Sequence, residues 1–431
     1  MNKIALGLIG YGNVGSGIVK LIRKKQSYLR SKFDMEFQFK GICDLTFAKE
    51  KPSGLEKTLL TTDARELLND PDIDVIVELI GGLNPAKDFV LTALKNGKHV
   101  VTANKALIAE HGRELFEKAR AYGKNIYFET SVQAGVPLIK TLTEGLAGNQ
   151  LKSIHGIING TCNYILSEMS ANHLSFSDAV KRAQEKGFAE TDPTLDINGM
   201  DSAYKLTILT YLAFGKFLSP KSIYTEGITH ISHHDIEFAN EMGLVIKLLA
   251  ISKKEGDEIE ARVHPTLIEK QHPLASINGV LNAVLMEADP LGDVLLSGEG
   301  AGQMAAASGI LSDLINLGTR DSMKPEAFIG NYFKEADGLG AKDIDNVTTK
   351  FYLRFMAMDK PGILSKISGV LGSHDISITS VSQNEHHQTS TVPVIILTNE
   401  TPEKNMRLAL NEIHQQGIVK SKPVAIRIEK L

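Results

Sequence analysis

The amino-acid sequence predicts an α/β chain built from a doubly wound sheet, an α+β unit and a small ferredoxin-like unit. Three observations carry that prediction. Over roughly the first 130 residues, short apolar runs alternate with helical patterns, which implies a parallel sheet covered on both faces. From about residue 136 the rhythm changes, and helical stretches dominate, interleaved with strands such as "EIEARVHPTLI". The last 80 residues or so read strand, helix, strand, strand, helix, strand, the ferredoxin-like order.

Taken in order, residues 4–9 are continuously apolar and stop at Gly10, so they read as a buried strand. Helical spacing of Val14, Ile18, Leu21 and Ile22 follows, over residues 13–29. "MEFQFKGICD" alternates and reads as a second strand. A short helix at 63–68, a strand "DVIVELI", a helix at 86–96, a strand "HVVTAN", another helix and a strand "NIYFETS" complete the alternation. In the middle unit, helices are predicted at 177–186, 201–214 and 234–249. A weakly patterned Gly- and Asp-bearing stretch, 337–346, reads as linker. "TKFYLRFMAMDKPGILSKISGVLG" then opens the last unit as strand, Pro-Gly turn and amphipathic helix. "ISITSVSQNE", "TVPVIILTNE", "PEKNMRLALNEIHQQ" and "VAIRIEKL" supply two strands, a helix and a final strand. The expected domains are 1–135, 136–320 with its end returning to the first domain, a linker 321–348, and 349–431.

The 431-residue length asks for two or three cores, and 42% hydrophobic with 23% charged residues is the balance of a globular protein. A formal net charge of -4 gives no basic surface for nucleic acid. No apolar run approaches the roughly 20 residues of a membrane span. Cys43 and Cys162 cannot make a disulfide framework, and the first strand begins near Lys3, which leaves no room for a targeting segment. A cytoplasmic protein is expected.

"GLIGYGNVGSG" places Gly10, Gly12 and Gly15 as G-x-G-x-x-G between a strand and a helix. Gly10 permits the tight turn, Gly12 lets backbone approach a pyrophosphate, and Gly15 lets helix and strand pack closely. The anion then sits at the helix N-terminus, over Asn13 and Val14. This is a Rossmann-type dinucleotide-binding domain in expectation. Asp44 closes the second strand where a ribose hydroxyl is held. Ile80 and Gly81 of "IGG" end a later strand at the same sheet edge, with Thr102 and Lys105 of "VVTANKALIAEHG" at the next.

"GFAETDPTLDINGMDSAYK" is the most informative stretch of the middle unit. It sets Glu190, Asp192, Asp196 and Asp201 around Pro193 and Gly199, just before a helix on which Lys205 stands four residues after Asp201. A solvated i,i+4 ion pair is worth only about 0.3–0.5 kcal/mol. Here the surrounding helix is apolar (Leu206, Ile208, Leu209, Leu212), which predicts a partly buried pair. Carboxylates crowded in a Gly-bearing loop suit an amino group, and a lysine beside them suits proton transfer at an alcohol or carbonyl. "NGTCNYIL" carries small polar groups into an apolar helix, as a site wall does. The 13 histidines are spread along the chain, and no C-x-x-C spacing points to zinc.

Together "ELIGG", "GKHVVTANKALIA", "NGTCNYIL", "ETDPTLDINGMDSAYKLTIL", "IYTEGIT" and "GEGAG" resemble the homoserine dehydrogenases. The tail resembles an ACT domain through "DKPGILSKISGVL". The resemblance is to the monofunctional form, and it implies an oxidoreductase that links L-homoserine and L-aspartate 4-semialdehyde with NAD or NADP. It implies Lys205 as proton donor, with Asp201 and Lys105 orienting the reacting oxygen. Glu190, Asp196, Thr161 and backbone at Gly187 would hold the substrate's amino and carboxyl ends. Gly302 would return to the nicotinamide. Glu129, with carbonyls at Val132, Ala134 and Val136, would bind a monovalent cation, Na⁺ or K⁺. The ACT-like turn of Asp359, Pro361, Gly362, Ile363 and Leu364 would receive an amino acid, with threonine as the expected effector, in a homodimer or homotetramer. Two departures stand out. Cys43 replaces an arginine that many relatives place before the strand-ending aspartate, so NAD stays open unless Lys49 or Lys51 meets a 2′-phosphate. "QAG" at Gln133 differs from a commoner two-glycine version. A dehydrogenase for a diamino acid and a non-catalytic amino-acid sensor are the competing readings. Lys105, Lys205 and Asp201 together speak against the second.

Overall fold

Six parallel strands carry the glycine turn, in the order Leu59–Thr61, Met35–Cys43, Asn2–Ile9, Val75–Glu78, His99–Thr102, Ile126–Tyr127. The order reverses on either side of the first strand, and that switch point opens a crevice at the carboxyl ends. The computed structural model describes residues 1–49, 52, 55, 58–319, 338–383 and 391–431. By contacts the chain divides into two units: Met1–Lys152, Ala203–Ile223 and Leu281–Gly338 form one, and Ser153–Ser202, Tyr224–Val280 and Leu339–Leu431 the other. No helix among the described residues is long and apolar enough to cross a membrane.

In the first unit the strands are buried on both faces, as a covered parallel sheet requires: Leu6, Leu8, Val75, Ile76, Val77, Val100 and Val101 are fully buried. Helix Asn13–Phe33 turns Ile18, Val19 and Ile22 inward. Helix Gln303–Thr319 packs along it, and the Gln303 side chain donates to the Asn13 carbonyl at 2.8 Å and to Ser16 Oγ at 3.1 Å. An antiparallel hairpin, Leu281–Asp289 with Gly292–Glu299, completes the unit. The expected strand "NIYFETS" is shorter than predicted. It pairs only over Ile126–Tyr127, and a helical turn, Glu129–Ser131, follows because its backbone turns in to bury Glu129.

In the second unit, Leu244–Glu255 and Glu258–Glu269 pair antiparallel along their whole length. This corrects the helix expected over 234–249. Helix His233–Glu241 occupies its first half, and strand Leu244–Glu255 takes the rest. The run from Leu244 to Ile251 is almost wholly apolar, and periodicity alone does not separate a buried strand from a buried helix there. The carboxyl-terminal unit has the expected order: Thr348–Met358, Ile363–Ser373, Ile378–Gln383, Thr391–Thr398, Glu403–Gln415, Val424–Ile428. Phe351, Leu353, Phe355, Ile367, Leu371, Val394, Ile396, Met406 and Ile413 make its core. Its last strand pairs parallel with Glu258–Glu269, Thr266 facing Arg427, so one sheet runs on from the middle of the chain into the tail. Within the stretch read as linker, Gly340–Ala341 pairs beside Glu258–Ile259 and Ile344–Asn346 makes a helical turn. Residues 384–385 of the strand "ISITSVSQNE" and residues 321–337 of the expected linker lie outside the described residues.

Candidate active site

The first unit presents a crevice of about 720 Å³ at the switch point of its sheet. Gly10 has φ 101°, and a Cβ at Gly15 would lie 2.0 Å from the Gly10 carbonyl oxygen, so strand and helix meet there at a distance only glycine allows. Gly12 caps helix Asn13–Phe33 with no side chain covering its first turn, which leaves the N–H groups at Asn13, Val14 and Gly15 to an anion. Gly10, Gly12, Asp44, Ile80 and Gly81 line the crevice. Asp44 serves its own loop as well, accepting from Tyr11 N at 2.6 Å and from Thr46 N and Oγ1 at 2.9 and 2.6 Å. Burial alone would raise its pKa, but these hydrogen bonds outweigh burial and hold it below the ordinary carboxylate value.

Two features of this crevice escape a reading of the sequence. The first is Glu78, fully buried, whose Oε1 accepts from Ile80 N at 2.9 Å and Gly81 N at 3.3 Å while Oε2 accepts from Thr102 Oγ1 at 2.5 Å. One carboxylate thus shapes two βα turns, and burial pushes its pKa up. The second is Arg65, which lines the crevice beside Asp44 where Lys49 does not; Lys51 lies outside the described residues. Neither has a motif, because each acts through the pairing of distant strands. Lys105 opens helix Lys105–Ala121, whose cap Asn104 accepts from Leu107 N at 3.1 Å and donates to the Gly82 carbonyl at 2.7 Å. Gly302, φ 122°, immediately precedes the helix whose Gln303 reaches Asn13.

Also in this unit, Glu129 is buried and accepts from Ile139 N at 2.7 Å and Lys140 N at 3.0 Å. Its own N–H donates to Asp313 Oδ2 at 3.0 Å. Asp313 is buried as well, pushed up to about 7 by burial, and Lys140 Nζ stands 3.5 Å from it. Val136 O accepts from Leu138 N at 2.8 Å, while Val132 and Ala134 are buried beside it in sequence.

In the second unit the carboxylates of the loop are joined by Asn159, the first residue of the "NGTCNYIL" stretch read as a site wall. Asn159 Nδ2 donates to Asp196 Oδ1 at 2.7 Å and to Asp201 Oδ2 at 2.9 Å, while its Oδ1 caps helix Gly160–Ala171 by accepting from Cys162 N at 2.8 Å. A single amide therefore fixes a helix end and two acids. Thr161 Oγ1 donates to the Phe188 carbonyl at 2.8 Å, next to Gly187. Glu190 and Asp192 are exposed and not joined to this cluster by any described hydrogen bond. Asp201 is 4% exposed; four residues further along helix Met200–Phe214, in the segment Ala203–Ile223 that belongs to the first unit, Lys205 is 9% exposed, a burial that fits the apolar neighbours.

A dinucleotide fold with its crevice, and a buried carboxylate and lysine one helical turn apart, define an oxidoreductase of the nicotinamide-dependent class. Family models agree: "Homoserine dehydrogenase, NAD binding domain" matches residues 10–129, "Homoserine dehydrogenase" 137–315 and "ACT domain" 351–417. The homoserine dehydrogenase of Neisseria gonorrhoeae is 39% identical, with 100% of both chains covered, and that of Helicobacter pylori 38%, with 99% of each. A crystal structure of a homoserine dehydrogenase from Thiobacillus denitrificans superposes with a TM-score of 0.92 at 40% identity, covering 100% of this chain and 99% of that one. A hyperthermophilic archaeal homoserine dehydrogenase in complex with NADPH gives 0.61 at 27% identity, over 74% and 98%. The chain belongs to the homoserine dehydrogenase family.

Proposed function

We propose that the chain interconverts L-homoserine and L-aspartate 4-semialdehyde with NAD or NADP, in the cytoplasm, as a step toward threonine and methionine. The observation that carries this reading is the Asn159 amide, which holds Asp196 to Asp201, the residue one helical turn before Lys205. When bound, the reduced cofactor supplies a hydride from nicotinamide C4 to the aldehyde carbon. The carbonyl π pair moves onto oxygen, and Lys205 delivers the proton that completes the alcohol. Asp201 and Lys105 orient that oxygen. Glu190 and Asp196 take the ammonium of the substrate, and Thr161 with backbone at Gly187 takes its carboxylate. Gly10, Gly12, Asn13, Val14 and Gly15 hold the pyrophosphate, Asp44 the ribose, and Ile80, Gly81, Thr102, Lys105 and Gly302 the nicotinamide side. Homoserine mixed with either cofactor at alkaline pH tests the proposal through nicotinamide absorbance. A response to a diamino acid instead would replace the substrate.

Two further assignments belong to this reading. Glu129 and the carbonyls of Val132, Ala134 and Val136 hold Na⁺ or K⁺. The support is a charge imbalance: two buried carboxylates, Glu129 and Asp313, share the Lys140 ammonium, which stands 3.5 Å from Asp313, and a cation at Glu129 offsets the other charge. The turn at Asp359, Pro361, Gly362, Ile363 and Leu364 receives threonine, and the chain works as a homodimer or homotetramer. Gly362, φ 86°, caps helix Ile363–Ser373 without a side chain over the first N–H groups, which suits a carboxylate. Threonine inhibits only if it prefers the less active conformation. Asp359→Ala in the full chain is expected to abolish threonine inhibition and keep basal activity. Inhibition unchanged in that variant, or absent from the parent, rejects the sensor.

A further inference from the structure

The second unit brings together three side chains that no part of the reaction uses. His233 opens helix His233–Glu241, Glu237 stands one turn later, and His173 reaches them from the turn after helix Gly160–Ala171. One ligand-capable atom from each lies within 4.8 Å of the other two. The two imidazole rings meet edge to face, with centroids 5.1 Å apart and planes at 85°. We propose that His173, His233 and Glu237 form a site for a borderline divalent ion such as Zn²⁺ or Co²⁺, clasping the end of one helix to the start of the other.

The donor set fits that class, since two imidazoles and a carboxylate supply three corners of a tetrahedron and water supplies the fourth. Bonds of about 2.0–2.2 Å place tetrahedral ligand atoms roughly 3.4 Å apart. His233 Nε2 and Glu237 Oε1 are already 2.9 Å apart, and the ligand atom of exposed His173 lies within 4.8 Å of both. The other Glu237 oxygen stands 3.4 Å from His234 Nδ1, the kind of outer contact that orients a ligating carboxylate. His233 Nδ1 is buried and makes no hydrogen bond. A metal on Nε2 of the neutral ring leaves the imidazole proton on Nδ1.

The frame around the site is stiff. His173 holds φ 53°, a backbone state that costs a non-glycine residue about 1 kcal/mol or more. The first turn of the His233 helix is closed by a capping box in which Ser232 and Asp235 bond each other, and Asp235 is gripped in turn by Arg354 Nε at 2.6 Å. The two histidines are far apart in sequence, which is why spacing gives no sign of a metal. Thiols do not compete, since both cysteines are buried.

The test uses untagged full-length protein, freed of metal with a chelator, and titrated calorimetrically with Zn²⁺ and spectroscopically with Co²⁺. One ion per chain is expected, with the intense visible bands of tetrahedral Co²⁺ and a rise in Tm on adding Zn²⁺. His173→Ala and Glu237→Gln are each expected to weaken binding by at least about tenfold, the lower bound for losing even a supporting partner, while far-UV circular dichroism stays unchanged. No saturable uptake by the parent, or uptake equal in parent and both variants, overturns the site.

Discussion

The glycine turn of the first unit's crevice works through backbone, and the polar cluster of the second unit works through side chains. In the crevice, Gly10, Gly12 and Gly15 contribute no side chain, and Glu78 works by bonding main-chain N–H groups at Ile80 and Gly81. In the cluster, one amide holds two carboxylates by direct bonds from Asn159. The difference teaches how each half fails. A backbone site is broken by adding atoms that force chain and helix apart. A side-chain site is broken by removing one donor or one charge while the fold stays intact.

The sharpest break comes from removing a side chain, the lysine one helical turn after Asp201. Lys205→Ala is expected to lower kcat by at least about 10²-fold, the effect of losing a general acid, with the thermal transition still cooperative. A kcat near that of the parent removes Lys205 from the proton transfer. Asn159→Leu comes next, because it leaves Asp196 and Asp201 each without this donor. Hydrogen bonds to charged groups are worth about 1.5–3 kcal/mol, so kcat/KM is expected to fall by tenfold or more while nucleotide affinity holds. A parallel loss of nucleotide affinity would mean that the two halves do not fail separately.

Gly15→Ala tests the backbone half. Its Cβ would sit 2.0 Å from the Gly10 oxygen, and relieving that overlap costs about 1–3 kcal/mol of stability. The expected result is a lower denaturant midpoint together with lost NAD(P) binding. Retained affinity in a destabilised protein would show that the turn can shift without losing its N–H groups. Glu190→Gln has a smaller effect, since the side chain is exposed and stands outside the Asn159 cluster. KM for homoserine is expected to rise by more than kcat falls, as for a group that binds substrate and transition state alike.

The sequence shows these two halves to different depths. The glycine turn, the βα alternation, the Asp201–Lys205 spacing and the tail's strand–helix order are local patterns, so they are legible from residues alone. Asn159, Glu78, Arg65 and the His173–His233 pairing depend on which strands and helices become neighbours, and no local spacing encodes that. The helix expected over 234–249 fails for a related reason, because the continuous apolar run after Gly243 suits either element until its pairing with Glu258–Glu269 decides. The tail's join to the middle of the chain is equally hidden. Arg427 bonds Glu403, Glu226 Oε2 at 2.8 Å and Tyr224 OH at 2.9 Å, so cutting the chain after residue 346 would remove a strand and its buried charges as well as any effector site. Regulation is therefore better probed by point substitution than by truncation.

The smallest expected effect concerns the end of the crevice where backbone gives way to side chains, and it sharpens the comparison most finely. Asp44 accepts hydrogen bonds from a free ribose 2′-hydroxyl and repels a 2′-phosphate, and Cys43 brings no charge. On those grounds NAD is expected to be used at least as well as NADP. Arg65 works in the other direction, since its exposed guanidinium lines the same crevice and can pair with a phosphate through solvent-screened contacts. Exposed ion pairs are worth about 0.2–1 kcal/mol, so Arg65→Ala should lower kcat/KM for NADP by only roughly 1.5- to 5-fold and leave the NAD value unchanged. Side-by-side kcat/KM with the two cofactors measures it. A loss shared equally by NAD and NADP would place Arg65 against the adenine or the pyrophosphate rather than the 2′ position. A strong NADP preference that survives the substitution would pass that role to Lys49 or Lys51.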